Sequence, residues 1–545
     1  MRHFAVFPAA CAVLLACASW AVAQATSLAA PASPVDNSKS ILTPKPPATP
    51  RINGPKVYGQ RPGRPFLYTI PATGDRPMTF AAEGLPEGLK LDEKTGRITG
   101  SVKTAGEHQV TLKAKNAKGE NAKPFKIVIG DTLALTPPLG WNSWNSWAKD
   151  VDQEKVLASA KAMVEKGLIN HGWTYVNIDD AWQKARGGEF NAIQPNEKFP
   201  DMKGLADEIH GMGLKIGIYS TPWISSYAEF VGGSSDDPQG KWDESIKGRD
   251  WRKDGKHLFA ENDAKQWAAW GIDYLKYDWN PRSKPGDVSN DVFKKQIQDM
   301  AKALENSGRD ILFSYSNSMP FEAIGDVSPY LNAWRTTGDI RDTWWSLTNI
   351  GFTQDRWAPH ARPGHWNDPD MLVVGYVGWS KNLHPSKLTP DEQYTHISLW
   401  SLLSAPLLIG CPIERMDEFT LSLLTNDEVL AINQDPLGKS ARLVSKQGGE
   451  ITIENVRPGR DTQRKEHARG QVWAKELEDG TRAVGLFNLG EEEMTVVADF
   501  KELKLDGKQT VRDLWRQKDL TTAEDKFEAK VAPHGVVFVK LSPAK

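Results

Sequence analysis

From Leu133 to about residue 435, short apolar runs alternate with helical patterns, and this alternation constrains the fold more than any other feature of the chain. Tyr175-Val176-Asn177-Ile178 is followed by a helical pattern near 201–212, Lys215-Ile216-Gly217-Ile218-Tyr219 by one near 257–270, and Tyr274-Leu275-Lys276-Tyr277 by one near 291–306. Ile311-Leu312-Phe313-Ser314 comes next. Further strands are predicted at 138–142, 333–337, 365–372 and 406–410, and further helices near 392–404 and 420–433. About eight strand–helix units in about 300 residues predict an α/β fold, a (β/α)8 barrel, in preference to an open doubly wound sheet. No Gly-rich phosphate loop follows any of these strands, which argues against a nucleotide site.

At 545 residues the chain holds more than this barrel. Met1-Arg2, an apolar run from Phe4 to Val22 and the small-residue site Ala21-Val22-Ala23 predict a signal peptide over 1–23, hence export to the periplasm or the outside. Leu14-Leu15-Ala16-Cys17 resembles a lipoprotein box, but the well-formed Ala-Val-Ala site favours soluble export. No later stretch approaches the roughly 20 apolar residues of a membrane span. Residues 24–52 read as a Pro-rich spacer. Residues 53–131 carry alternating runs such as Phe66–Ile70, His108–Leu112 and Phe125–Ile129, the pattern of a small β-sandwich. The stretch from Gly84-Leu85-Pro86 to Thr99-Gly100 resembles the immunoglobulin-like domains attached to many bacterial exported enzymes. The barrel is assigned 132–436. Alternation returns over 437–545, as in Ile451-Thr452-Ile453 and Val536-Val537-Phe538-Val539, and predicts a C-terminal antiparallel β-domain.

Charge and cysteine content narrow the function. The 67 basic and 69 acidic residues leave a net charge of -2, without the basic excess of a nucleic-acid binder. Cys11 and Cys17 lie in the first twenty residues, so Cys411 stands alone in the body, which excludes a disulfide framework and a cysteine-ligated zinc site. Tryptophan is abundant, with 21 residues, and most lie between Trp141 and Trp400. Such rings build a large core or stack on sugar faces, and composition alone does not separate the two.

In a barrel of this kind the reactive groups lie at the C-terminal strand ends. Those ends carry Trp141, Asp179-Asp180, Tyr219, Lys276 with Asp278, Ser314 to Asn317, Arg335 with Asp339, and Asp368 with Asp370. One carboxylate in such a place is often a helix N-cap. Five or six on one mouth repel one another and are tolerated where function needs them. Three chemistries fit: a divalent metal on Asp179-Asp180 and Asp368-Pro369-Asp370, a non-catalytic sugar site, and a carboxylate pair that cleaves a glycosidic bond. No histidine pattern supports a transition metal, and no phosphate cradle accompanies an all-carboxylate magnesium site.

Seven blocks, in order, carry a resemblance. Thr136-Pro137-Pro138-Leu139-Gly140-Trp141-Asn142-Ser143-Trp144-Asn145, Tyr175-Val176-Asn177-Ile178-Asp179-Asp180-Ala181-Trp182, Tyr274-Leu275-Lys276-Tyr277-Asp278, Trp334-Arg335-Thr336-Thr337-Gly338-Asp339-Ile340, Gly364-His365-Trp366-Asn367-Asp368-Pro369-Asp370-Met371, Ser404-Ala405-Pro406-Leu407-Leu408-Ile409-Gly410 and Ala431-Ile432-Asn433-Gln434-Asp435-Pro436-Leu437-Gly438 resemble glycoside hydrolase family 27, the melibiase-type α-galactosidases. The resemblance implies hydrolysis of terminal α-galactosyl residues with retention, a carbohydrate substrate and no metal or organic cofactor. It places the nucleophile at Asp278 and the acid/base at Asp339. It assigns Asp179, Asp180 and Lys276 to the O4, O6 and O3 side of galactose, Arg335 to O2, Trp141 and Tyr219 to pocket walls, and Asp370 to a further pocket position. Lys276, two residues from Asp278, is expected to keep the nucleophile ionised, while Asp339 needs a raised pKa to donate its proton.

The sequence departs from the family where cysteines often follow the paired aspartates and the nucleophile; here stand Ala181 and Trp279. Packing is expected to replace the missing disulfides, and Trp279 to bring a ring to the pocket mouth. Ser316 falls where galactosidases carry glutamate near O2, as in the N-acetylgalactosaminidases, although Met319 stands where those enzymes have a small residue. The reading adopted is an exported retaining exo-α-galactosidase. The alternatives are an α-N-acetylgalactosaminidase, a β-L-arabinopyranosidase or an α-1,6-glucan hydrolase of the same family, or a non-catalytic sugar-binding protein. The sequence leaves the oligomeric state open.

Overall fold

The structure, a computed structural model, describes residues 37–280, 290–457 and 459–544. The signal read at 1–23 and the first part of the spacer lie outside them.

Eight parallel strands form one sheet: β1 (Leu139–Asn142), β2 (Tyr175–Asn177), β3 (Lys215–Ser220), β4 (Tyr274–Asp278), β5 (Leu312–Ser316), β6 (Ala333–Arg335), β7 (Trp366–Asp368) and β8 (Leu407–Ile409). They neighbour one another in chain order, with β8 returning to β1. Just past β7, Leu372 bridges in parallel to Ile409; its N–H donates to the Leu408 carbonyl at 2.8 Å, which closes the sheet into a barrel. The strands are buried on both faces, so they read as continuous apolar runs. At Gly217 a β-carbon would lie 2.0 Å from Asn177 Oδ1, so only glycine lets β2 and β3 approach here.

Helices follow the strands: α1 (Gln153–Glu165), α2 (Met202–Gly211), α3 (Ala260–Trp270), α4 (Asn290–Asn306), α5 (Ile324–Val327), α6 (Trp344–Gly351), α7 (Pro390–Leu402) and α8 (Glu418–Leu424). The helix predicted over 420–433 breaks at Thr425-Asn426, where the Asn426 side chain accepts from the N–H groups of Glu428 and Val429 and starts a second helix, Asp427–Asn433. Asp152, Asp201, Thr343, Thr389 and Asp417 cap α1, α2, α6, α7 and α8 with their side chains. The carboxylates at the strand ends are therefore not spent on these caps.

The N-terminal domain is a small β-sandwich. One sheet holds Val57–Gln60, Gly119–Ile129, Gly106–Asn116 and Thr79–Glu83, the other Phe66–Thr69, Arg97–Gly100 and Leu89–Asp92, around a core of its own. It docks under the barrel, where strands begin. Asp310 accepts from Gln60 Nε2 (2.7 Å) and Arg61 N (2.9 Å), Thr69 Oγ1 donates to the Gly213 carbonyl (2.8 Å), and Lys215 Nζ donates to Tyr58 OH. The described end of the spacer is also docked. Ile41 and Leu42 pack on the barrel core, and Leu42 N donates to Tyr394 OH at 3.0 Å, so apolar cover holds a segment whose composition reads as free.

The C-terminal domain has a six-stranded antiparallel sheet and a two-stranded one, Met494–Asp499 with Lys526–Val531. Its first two strands, Arg442–Asn455 and Gln463–Glu476, form a long hairpin. Trp473, Phe487, Trp515 and Phe538 share one continuous core with the barrel.

Candidate active site

At the end of β4 the side chains of Lys276 and Asp278 share a face, being two residues apart. Asp278 is buried. Tyr219 OH, at the end of β3, donates to its Oδ2 at 3.2 Å, and Asn317 Nδ2, just past β5, donates to Oδ1. Burial pushes the Asp278 carboxyl up to about 7, against the pull of Lys276. The sequence-based expectation of an ammonium that keeps this group ionised is thus only half met: Lys276 acts in the expected direction, and desolvation outweighs it. Lys276 Nζ itself donates to Asp179 Oδ2 at 2.8 Å. Burial would lower this ammonium, but Asp179 and Asp278 hold it above the ordinary lysine range.

Asp179 and Asp180 follow β2. Asp180 N donates to Asp179 Oδ1 (2.8 Å). The Asp180 carboxylate accepts from Ala181 N (2.8 Å), Gln183 Nε2 (3.0 Å) and Ala228 N (2.8 Å), so it also ties down the loop after β3. Burial raises its pKa. Trp141, fully buried on β1, donates from Nε1 to the Cys411 carbonyl at 2.9 Å.

Across the mouth, Arg335 at the end of β6 lies 3.0 Å from Asp370 Oδ2 and 3.2 Å from Asp339 Oδ1. Burial works against its charge, and Asp370 with Asp339 restores it. Asp370 has φ +88°, and its Oδ2 accepts from Ile340 N at 2.8 Å, which anchors the loop carrying Asp339. The Asp339 side chain is 75% exposed, against 4% for Asp370. Desolvation pushes Asp339 up, but Arg335 and Lys276 hold its carboxyl below the ordinary range. The raised pKa expected of this residue is therefore not a property of the open site; the adjacent guanidinium overrides it. Ser316 pairs in register with Asp278 and lines, with Lys276, Arg335, Asp368 and Asp370, a cavity of about 20 Å³ beneath the mouth. Asp368 is pushed up to about 6 by burial.

Hydrogen bonds join Asp179, Asp180 and Lys276, and likewise Tyr219, Asp278 and Asn317, and ion pairs join Arg335, Asp339 and Asp370, while Ser314, Ser316 and Asp368 line the cavity between them; Tyr315 turns away to Trp279, and Trp141 is held in the wall of β1 by the Cys411 carbonyl. Trp279 does not reach the mouth. It is 1% exposed and packs edge-on to Tyr315 (4.8 Å) and Tyr277 (5.0 Å), and an aromatic cluster braces β4 against β5 without a disulfide. Two members have roles that the sequence did not reveal, Asn317 named at a strand end without one and Tyr227 not named at all. Asn317 was only the end of a strand, and its φ of +76°, which turns the amide onto Asp278, leaves no trace in the residue type. Tyr227, which meets Asn317 Nδ2 at 3.1 Å, comes from a long irregular loop with no motif. Among the described residues no group of three or more His, Cys, Asp or Glu side chains is arranged to hold a metal ion, and no helix is long and apolar enough to cross a membrane.

The family model for alpha galactosidase A matches residues 136–238 and 252–435, that for the alpha galactosidase C-terminal beta sandwich domain matches 468–541, and an Ig domain model matches 49–130. Alpha-galactosidase 2 of Arabidopsis thaliana is 36% identical over 429 residues, 77% of this chain and 93% of that protein. A crystal structure from Bacteroides fragilis NCTC 9343 superposes with TM-score 0.77 at 33% identity and covers 93% of this chain and 100% of that one. A β-L-arabinopyranosidase from Geobacillus stearothermophilus superposes with TM-score 0.64 at 27% identity, covering 75% and 97%. Fold and site define a barrel glycoside hydrolase with a pair of carboxylates facing a polar pocket. The chain belongs to the alpha galactosidase A family, the melibiases of glycoside hydrolase family 27.

Proposed function

We propose that the protein is an exported retaining α-galactosidase that removes terminal α-galactosyl residues from oligo- or polysaccharides. The observation that carries the mechanism is the unequal setting of two carboxylates: Asp278 buried and gripped by Tyr219 and Asn317, Asp339 exposed beside Arg335. Asp278 attacks the anomeric carbon, the bond to the leaving oxygen breaks, and Asp339 delivers its proton to that oxygen. Water then attacks the glycosyl ester, Asp339 takes its proton, and Asp278 is released. A sugar in the mouth displaces water from Asp339 and raises its pKa toward the acid role. Esterification of Asp278 removes a negative charge nearby, which lowers the Asp339 pKa for the base role.

Asp179, Asp180 and Lys276 form the polar wall for the O3, O4 and O6 hydroxyls, with Arg335 and Ser316 toward O2. The small Ser316 side chain supports one second reading, an α-N-acetylgalactosaminidase. Export rests on residues 1–23, whose basic start, apolar run and Ala-Val-Ala site have the form of a cleaved signal.

The mechanism is tested with Asp278→Gly. Turnover of nitrophenyl α-galactoside should fall at least about a thousandfold, and azide should restore reaction as the β-galactosyl azide. An α-azide, or activity near wild type, overturns the nucleophile. Nitrophenyl α-N-acetylgalactosaminide run alongside separates the two readings.

A further inference from the structure

Beside the galactose pocket runs a groove of about 620 Å³ that the galactosidase mechanism does not use. It is lined by Asn280, two residues past Asp278, and by Thr337, two residues before Asp339, so it begins at the point where a leaving group departs. The Thr337 hydroxyl is buried without a hydrogen-bond partner. Phe321 lines it too, set edge-on to Trp357 (4.9 Å, 82°), with the Arg356 guanidinium 3.8 Å from the Phe321 ring centre. Asn349, on α6, and Lys465 also line it.

Lys465 belongs to the C-terminal domain. It sits on the long hairpin, opposite Ile453. The outer part of that hairpin falls between the two family matches, which end at residue 435 and resume at 468. Its base is fixed beside the groove: Asp355 accepts from Arg442 Nε at 2.8 Å and from Leu443 N at 2.9 Å.

We propose that this groove is a leaving-group subsite for a neutral oligosaccharide of two or more sugar units beyond the galactosyl residue, with the hairpin as its outer wall. The inference rests on the galactosidase reading above. Amide, hydroxyl and cationic donors beside the partly buried Phe321 ring form the chemistry that holds sugar hydroxyls next to an apolar face. The volume lies within the roughly 300–1,000 Å³ of sites that enclose a ligand larger than one small ring. The balance of charge, Arg356 and Lys465 against Glu322, supplies donors to hydroxyl oxygens. A simple aryl glycoside ends before reaching Lys465.

The test compares nitrophenyl α-galactoside with a singly galactosylated mannotetraose, in wild type, Lys465→Ala and Asn349→Ala. Each variant should lose about tenfold in kcat/KM on the oligosaccharide and change by less than about twofold on the aryl galactoside. Lys465→Arg should recover most of the loss. Equal losses on both substrates, or no loss on the oligosaccharide, overturn the subsite. Wild-type turnover of the aryl galactoside is the reference: its absence strikes at the galactosidase reading, whereas its presence with unselective variants strikes only at the groove.

Discussion

Asp278 is asked to be an anion in a place that disfavours anions. Burial sets its pKa at about 7, far above the ordinary 3.8. The native state therefore holds this proton more tightly than the unfolded chain. Between those two values stability falls as pH rises, because the unfolded chain gives up the proton first and the folded protein must then bury the charge. Asp278→Asn removes that penalty. Its melting temperature should exceed wild type at pH 8, by on the order of a few kcal/mol in unfolding free energy, and the gap should close toward pH 4. A gap that does not change with pH would show that burial of the charge is not its cause. Asn317→Ala removes one donor to the same carboxylate. It should move the acid limb of kcat/KM to higher pH, since a lost hydrogen bond to the charged form raises the pKa. Pairs and spacing expose most of this site in the sequence: Asp179-Asp180, Lys276 with Asp278, and Arg335 with Asp339 stand at strand ends. The pKa of Asp278 was not legible there. It depends on how much of the surrounding barrel excludes water.

At the scale of elements, α7 shows what a helical pattern conceals. From Glu392 to Leu402 it is buried all round, so no polar face marks it. What defines its start is local chemistry. Thr389 accepts from Glu392 N, and the Glu392 carboxylate accepts from Thr389 N at 2.7 Å. The other Glu392 oxygen meets His534 Nδ1 at 2.7 Å, so the cap also joins the barrel to the C-terminal domain. Thr389→Ala should cost about 1 kcal/mol in thermal or denaturant unfolding and leave kcat unchanged, because the cap touches no residue of the active site. The hairpin is the opposite case. Ile451-Thr452-Ile453 announces a strand, but not one of 14 residues paired with a second of the same length that carries Lys465 opposite Ile453. Its bulges, between Leu443 and Ser445 and between Gln447 and Glu450, interrupt the alternation from which strand length is read.

At the scale of the whole molecule, the N-terminal domain and the active site occupy opposite ends of the barrel. The domain is held at Gly213, Lys215 and Asp310, where strands begin; the carboxylates sit where strands end, about 16 Å away along a five-residue strand. A chain starting at Thr132 should keep kcat on nitrophenyl α-galactoside within about twofold and melt at a lower temperature, since it leaves Asp310 and Lys215 without their partners. Loss of small-substrate activity in the folded shorter chain would show that the domain is coupled to the site.

The barrel, the β-domains on either side of it and the ring of strand-end residues can be read along the chain, because periodicity and the position of a side chain at the end of a strand are local properties. Tertiary structure decided what depends on approach from afar. It turned Trp279 into the core, where Tyr277 and Tyr315 cover it more fully than solvent at the mouth could. It brought Tyr227 and Asn317 to the nucleophile, seated the spacer on Tyr394, and brought a hairpin of the C-terminal domain to the groove lined by Phe321 and Asn349. Apart from Tyr277 against Trp279, these contacts join residues far apart along the chain, and burial in the folded state, rather than any residue's own preference, sets their geometry and charge.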